Sequence, residues 1–315
     1  MFVFEESQMS KAIAHNRASG RVSRLLSGSS FAALMLLTVA SPARSEERHW
    51  DANGTAVGSG GTGAWNLSDL NWSPSPDGVS GPYNAPWTNL GLDDAIFGGT
   101  AGTVTVGSPI TVHNLTFNTA GYALTGGTLT LGGISPTITT NTNAAGVTTI
   151  GSVISGSAGL AKAGTGSLRL SGGNTFSGDI SILDGRIYAS SDAALGAASN
   201  SIFTAAGRSV WLGIEGSNTA RSVVIGDGGT LTVTGSGVGS ALISGNGNVN
   251  VAASNNDATI VRLTNDNNSY TGSTTFNGCN GVCSAYFSSI GNIGEASSLG
   301  AATGANSTII FNQSS

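Results

Sequence analysis

The chain has 315 residues, of which 9% are charged, 6% aromatic and 48 glycine, with a net charge of −5 and 39% hydrophobic residues. Globular domains carry about 25% charge and about 7% Gly, and ordinary disorder pairs low hydrophobicity with high net charge, so this composition excludes an unfolded chain and points to many short strands joined by many turns. An acidic, lysine-poor surface has no electrostatic footprint for nucleic acid or anionic lipid.

Residues 1–45 stand apart. Lys11, Arg17, Arg21 and Arg24 form a basic stretch, residues 31–40 read FAALMLLTVA, and Ser41, Pro42, Ala43, Arg44 and Ser45 follow. Basic region, apolar core and small-residue site is the order of a secretory signal peptide, whose core forms a helix. Ten apolar residues fall short of the roughly 20 that span a bilayer, and no other segment crosses as a helix. Cleavage in the region of Ala43, Arg44 and Ser45 fits the small-x-small rule, and Met9 offers a second start codon. Removing residues 1–45 takes five of the twelve basic and two of the seventeen acidic residues, moving the net charge to −8 and leaving Lys162 as the only lysine.

Residues 46–100 hold four of the five tryptophans, Trp50, Trp65, Trp72 and Trp87, with Pro74, Pro76, Pro82 and Pro86 between them. A stack of repeats needs its first layer covered, and this Trp/Pro-rich segment is expected to be an irregular N-terminal cap. Stacking of sugars on exposed tryptophans is the alternative use of the cluster. Gly58-Ser59-Gly60-Gly61-Thr62-Gly63 fits a dinucleotide-binding pattern but lacks the strand and helix around it, and reads as a flexible loop. Asp93-Asp94 reads as a turn or cap-loop pair rather than a metal site.

From residue 101 to 315 one phrase recurs: Thr103-Val104-Thr105-Val106, Thr128-Leu129-Thr130-Leu131, Ser167-Leu168-Arg169-Leu170, Asp179-Ile180-Ser181-Ile182, Thr230-Leu231-Thr232-Val233 and Asn248-Val249-Asn250-Val251. Alternation with period two marks a strand with one buried face. Gly-Gly, Asn-Gly, Asp-Gly and Ser-Gly steps between them supply turns. Asn174-Thr175-Phe176-Ser177-Gly178 matches Asn268-Ser269-Tyr270-Thr271-Gly272, and a Leu-Gly-Ala phrase follows each, at Leu195 and Leu299. Repeats of variable length suit a solenoid, in which each layer touches only its neighbours. The second interval is about ten residues longer and contains Cys279 and Cys283. In an exported chain these two are expected to form a disulfide that pins an extruded loop; zinc would need a second Cys or His pair nearby.

Chemistry is sparse. His49 lies near the new N-terminus, and His113 falls in the outward set of its strand. No Gly-x-Ser-x-Gly elbow occurs, Gly226-Asp227-Gly228-Gly229 occurs once where calcium-binding nonapeptides come in series, and the Asn-x-Ser/Thr sites at Asn66 and Asn114 are chance occurrences in such a composition. No catalytic residue, cofactor or metal site is expected.

The run Leu160, Lys162, Gly164, Gly166, Leu168, Leu170 and Gly172, followed by Asn174, Phe176 and Gly178 and repeated at Asn268, Tyr270 and Gly272, resembles autotransporter passengers with passenger-associated β-strand repeats. Trp50-Asp51, Gly63-x-Trp65, Trp72 and Asp94-Ala95-x-Phe97-Gly98-Gly99 are similar to the N-terminal region of such proteins. The resemblance implies an all-β, right-handed parallel β-helix carried to the cell surface by a C-terminal outer-membrane translocator barrel. This sequence reaches Ser315 in mid-pattern without such a barrel, so the expected compartment is the cell surface or extracellular space, or the periplasm if the chain ends there. The implied function is a non-enzymatic passenger, adhesive to host-surface or matrix molecules or glycans. A β-helical enzyme acting on polysaccharide and a non-functional truncated passenger are the alternatives. The mature N-terminus and the disulfide are checked together by the mass of exported, unreduced protein: a chain beginning between Arg44 and Glu46, two hydrogens light, is expected, whereas an intact Met1 or two alkylatable thiols contradicts it.

Overall fold

The computed structural model describes residues 45–54, 57–78, 84–90, 92–235, 238–252, 260–277, 284–303 and 308–312. The expected signal peptide with Ala43 and Arg44, and both Cys279 and Cys283, lie outside the described residues; Ser45 is exposed. Strands make up nearly all the regular structure. One short 3-10 turn, Asp192–Leu195, interrupts them, and no helix among the described residues is long and apolar enough to cross a membrane.

The chain winds as a parallel β-solenoid. A ten-stranded sheet stacks, along the axis, Glu47–Trp50, Asp94–Phe97, Leu115–Phe117, Thr137–Thr140, Leu160–Ala163, Ile180–Ile182, Ile202–Thr204, Ser222–Ile225 and Leu242–Gly245, with Trp72–Ser73 outside the first of these. An eleven-stranded sheet runs from Gly63–Trp65 through Ser167–Leu170, Arg186–Ala189, Ser209–Ile214, Thr230–Thr234, Asn248–Ala252 and Thr274–Asn277 to Ile309–Asn312. A third side begins as Ile110–Val112, Thr128–Leu131 and Val153–Ser155. Every pairing between successive rungs is parallel. Among the described residues the one antiparallel strand pair sets Trp72 opposite Trp50 at the N-terminal edge. This geometry excludes an antiparallel sandwich: Leu160 pairs with Ile180 one turn on, and Ile180 with Ile202 one turn further.

Alternation places the core. Leu168, Leu170, Ile180, Ile182, Leu231, Val233, Val249 and Val251 all face the interior and are buried. Arg169, Ser181 and Asn250 stand on the outside, partly exposed. Thr232 shares their outward register but is only 3% exposed. Its register partner Trp211 lies on one side and the Asn250 amide donates to its hydroxyl at 3.3 Å on the other, so neighbouring rungs cover it.

The tryptophans of the head are buried, not displayed: Trp50, Trp65, Trp72 and Trp87 are each at most 1% exposed. Their rings meet at centroid distances of 4.7 to 5.3 Å, and Phe97 carries the contact on to Phe117 at 4.7 Å. Sugar stacking on this cluster is therefore ruled out by packing. The expected flexible loop is also ordered. Gly60 bridges Asp51 and Thr100 on its two sides, and a Cβ there would sit 2.3 Å from the Thr100 carbonyl oxygen.

Replacing Leu170 by Asp places an unpaired carboxylate in the column, so a loss of several kcal/mol is expected, concentrated in its own and adjacent rungs. Arg169→Thr forfeits an outward ion pair and is expected to cost about 0–1 kcal/mol. Chemical denaturation followed by circular dichroism checks both; equal losses would contradict the inward–outward assignment.

Candidate functional site

The residues singled out by the repeat motif are held inside and at corners. Leu160, Leu168 and Leu170 belong to the core. Asn174 lies on the third side, where its Oδ1 accepts from the Ile154 amide at 2.8 Å and its Nδ2 donates to the Ala194 carbonyl at 2.6 Å. Asn268 makes the same two bonds, accepting from Ile243 at 2.8 Å and donating to Ser298 at 3.1 Å. Each asparagine thus bridges the rung before it and the rung after it. The aromatic two positions on, Phe176 or Tyr270, is buried, and its carbonyl accepts from Ala197 or Ala301 at 2.9 Å in both copies. Gly196 and Gly300 pass over that carbonyl with φ of 73° and 85°, where a Cβ would approach the oxygen to 2.5 and 2.6 Å. The asparagine phrase and the Leu-Gly-Ala phrase are thus two faces of one contact. The first copy stacks on Val153–Ser155, the second on Leu242–Gly245 of the ten-stranded sheet, so the device works on either side of the rung.

Gly178 and Gly272 are corner residues, where a Cβ would meet the Gly159 nitrogen at 2.6 Å and the Gly247 oxygen at 2.3 Å. Gly164 and Gly166 flank the corner beside Lys162. That lysine points inward, fully buried. Its ammonium donates to the carbonyls of Ala163 at 2.7 Å, Gly164 at 2.8 Å and Asp184 at 3.3 Å. Burial pushes its pKa down to about 8, against an upward pull from the Asp184 charge. Arg221 plays a related part at the 3-10 turn: it pairs with Asp192 at 2.8 Å and donates to the Gly196 and Ala197 carbonyls.

The titratable groups of the head are structural ties. Arg48 binds Asp93 at 2.7 Å, and Asp94 accepts from Asn114 at 2.9 Å beside His113 at 3.2 Å. The His49 pKa is lowered by burial, with Glu47 opposing. Among the described residues no three of His, Cys, Asp or Glu gather where they would hold a metal. A cavity of about 160 Å³ beside Thr274, Ile290, Ile293 and Leu299 is well below the roughly 300–1,000 Å³ of small-molecule pockets.

A group of partly exposed charged and aromatic side chains sits on the eleven-stranded sheet. Arg169 reaches across the intervening rung, which carries Tyr188, to Glu215, with its two terminal nitrogens on the two carboxylate oxygens. Arg186 lies over the Trp211 ring, 3.9 Å from its centroid, and its Nη1 is 3.4 Å from the Tyr188 hydroxyl. Gly213 leaves room for the Tyr188 ring, since a Cβ there would be 2.7 Å from Tyr188 Cδ1. Beyond Trp211 a ladder of Thr232, Asn250, Asn277 and Asn312 runs up the stack through amide hydrogen bonds. None of these pairs was anticipated, because the partners lie a whole turn or more apart and the turns differ in length.

No family model matches the chain, and no solved structure matches it. One curated protein does: the adhesin BmaC autotransporter of Brucella suis biovar 1 (strain 1330), 50% identical over 268 residues. That relative is an autotransporter adhesin. The match takes in 85% of this chain and 7% of the relative, so the chain corresponds to a small part of a much longer protein. The parallel solenoid is the architecture the passenger resemblance implies.

Two outcomes follow for the motif. Asn174→Ala strands the Ile154 amide and the Ala194 carbonyl, and a loss of about 1–3 kcal/mol is expected in denaturant unfolding; no loss would contradict the bridging role. For Lys162 the unfolded amine holds its proton to its ordinary 10.5 and the folded one to about 8. Between those values the unfolded state binds more protons, so stability rises with pH by up to about 1.4 kcal/mol per unit. Tyr122 and Tyr270, whose pKa values burial raises from 10.0 to about 12, act in the opposite sense above pH 10. Stability measured from pH 8 to 10 should therefore climb, and Lys162→Met should flatten the climb.

Proposed function

We propose that this chain is a stretch of an exported passenger displayed at the cell surface, and that it works non-enzymatically, by adhesion. The reading is supported by one observation above all: half-identity, across most of the chain, to a protein described as an adhesin. The physical form agrees with it. A solenoid offers long flat faces rather than a cleft, and here those faces carry Thr, Ser and Asn with few charges. Residues 46–100 act in this reading as the N-terminal cap, and the two cysteines close a disulfide across the longer turn. Host-surface or matrix molecules or glycans are the partners, and an outer-membrane translocator is the export partner of the longer protein. A polysaccharide-acting enzyme gains no support from Lys162, whose amine is spent on three main-chain carbonyls.

Beads coated with the purified protein are expected to adhere to cultured epithelial cells or to matrix-coated wells several-fold more than albumin-coated beads. Adhesion no greater than that of albumin overturns the adhesive reading.

A further inference from the structure

We propose that the Arg186–Tyr188–Trp211 patch of the eleven-stranded sheet is a binding site for a carboxylate-bearing glycan; this deepens the adhesive reading and rests on it. Three of the six described arginines, Arg169, Arg186 and Arg208, fall on successive strands of this sheet or beside them, in a chain that is acidic overall. Arg169 is engaged by Glu215, and Arg208 stands 3.7 Å from Asp184. Arg186 makes no ion pair with any described carboxylate. Its guanidinium carbon lies over the Trp211 ring, 3.9 Å from the centroid, and one nitrogen approaches the Tyr188 hydroxyl.

The arrangement has the properties of a prepared anion receptor. A guanidinium held over an indole and beside a phenol has its position set in advance, which lowers the ordering cost of binding. Its planar fork of N–H donors matches a carboxylate in two-point geometry. The Glu215 carboxylate on this face is held by both terminal nitrogens of Arg169, and the Asp184 carboxylate lies 3.7 Å from Arg208. Groups suited to sugar hydroxyls continue along the same face: the Tyr188 phenol beside the arginine, Thr230 two strands on, and Asn248 and Asn250 three strands on. Trp211 has Arg186 on one neighbouring strand and Thr232 on the other, so its part is to hold the arginine rather than to stack on a ring. A flat sheet with one fixed cation and a row of amides and hydroxyls fits an extended acidic sugar chain better than a compact ligand.

The test is binding of the purified protein to immobilised hyaluronan and 3′-sialyllactose, each beside its carboxyl-reduced neutral counterpart, measured by surface plasmon resonance. At least one acidic form is expected to bind, with loss on carboxyl reduction, weakening with added salt, and a fall of tenfold or more for Arg186→Gln. Arg262→Gln, which removes an arginine near Tyr286 away from this patch, should bind within twofold of the parent, and thermal unfolding should match for both variants. Absence of binding to both acidic forms, equal binding to the neutral counterparts, or binding indifferent to Arg186→Gln overturns the proposal. Bead adhesion scored in parallel separates the two readings. Adhesion that persists in Arg186→Gln while neither glycan binds sinks the patch alone, and glycan binding without adhesion sinks the adhesive reading alone.

Discussion

Everything in this molecule depends on one requirement: each rung must hydrogen-bond to the rung below and the rung above through its main chain. Along straight strands the parallel ladder meets that requirement without help from side chains. At corners and irregular passages the ladder breaks, and a buried amide or carbonyl left alone costs about 1–3 kcal/mol. The buried polar residues are where the sequence answers that cost. Asn174 and Asn268 each serve one amide and one carbonyl, Lys162 serves three carbonyls, and Arg221 gathers the carbonyls that end the 3-10 turn.

This explains why a chain so poor in charge keeps the few charged groups it buries. Lys162 and Arg221 act on the main chain, not on a ligand. A lysine with a lowered pKa would elsewhere invite a catalytic reading, but here the lowering comes from burial among carbonyls in a corner. The solvent-facing arginines do something different, and the contrast between inward Lys162 and outward Arg186 separates structural from ligand-facing charge.

Much of the fold was legible in the sequence because the period-two signal is strong and one-sided. Leu168, Leu170, Ile180 and Ile182 alternate with Arg169 and Ser181, and a strand with such a pattern has only one way to face a core. The repeat phrases were legible as phrases, but their mechanism was not: nothing in Asn-Thr-Phe-Ser-Gly says that the asparagine is the buried bridge. The tryptophans were readable as a cluster, and burial decided their role. Contacts between rungs were illegible for a geometric reason. Thr230 pairs with Asn248 and Val249 with Thr274, offsets of 18 and 25 residues, so no fixed spacing aligns Arg186 with Trp211 or Arg169 with Glu215.

The short antiparallel strand Trp72–Ser73 at the N-terminal edge has a consequence for self-association. An exposed parallel edge is a template on which a further strand can pair, and solenoids stacked head to tail would grow into fibres. Here the last parallel strand, Glu47–Trp50, is met by a two-residue strand running the other way, backed by four packed indoles. A strand arriving in the parallel sense finds its hydrogen-bonding positions at His49 and Trp50 taken. Growth on this edge of the ten-stranded sheet would first require the short strand and the indoles packed on it to open, which makes this one edge a chain terminator in the polymer chemist's sense.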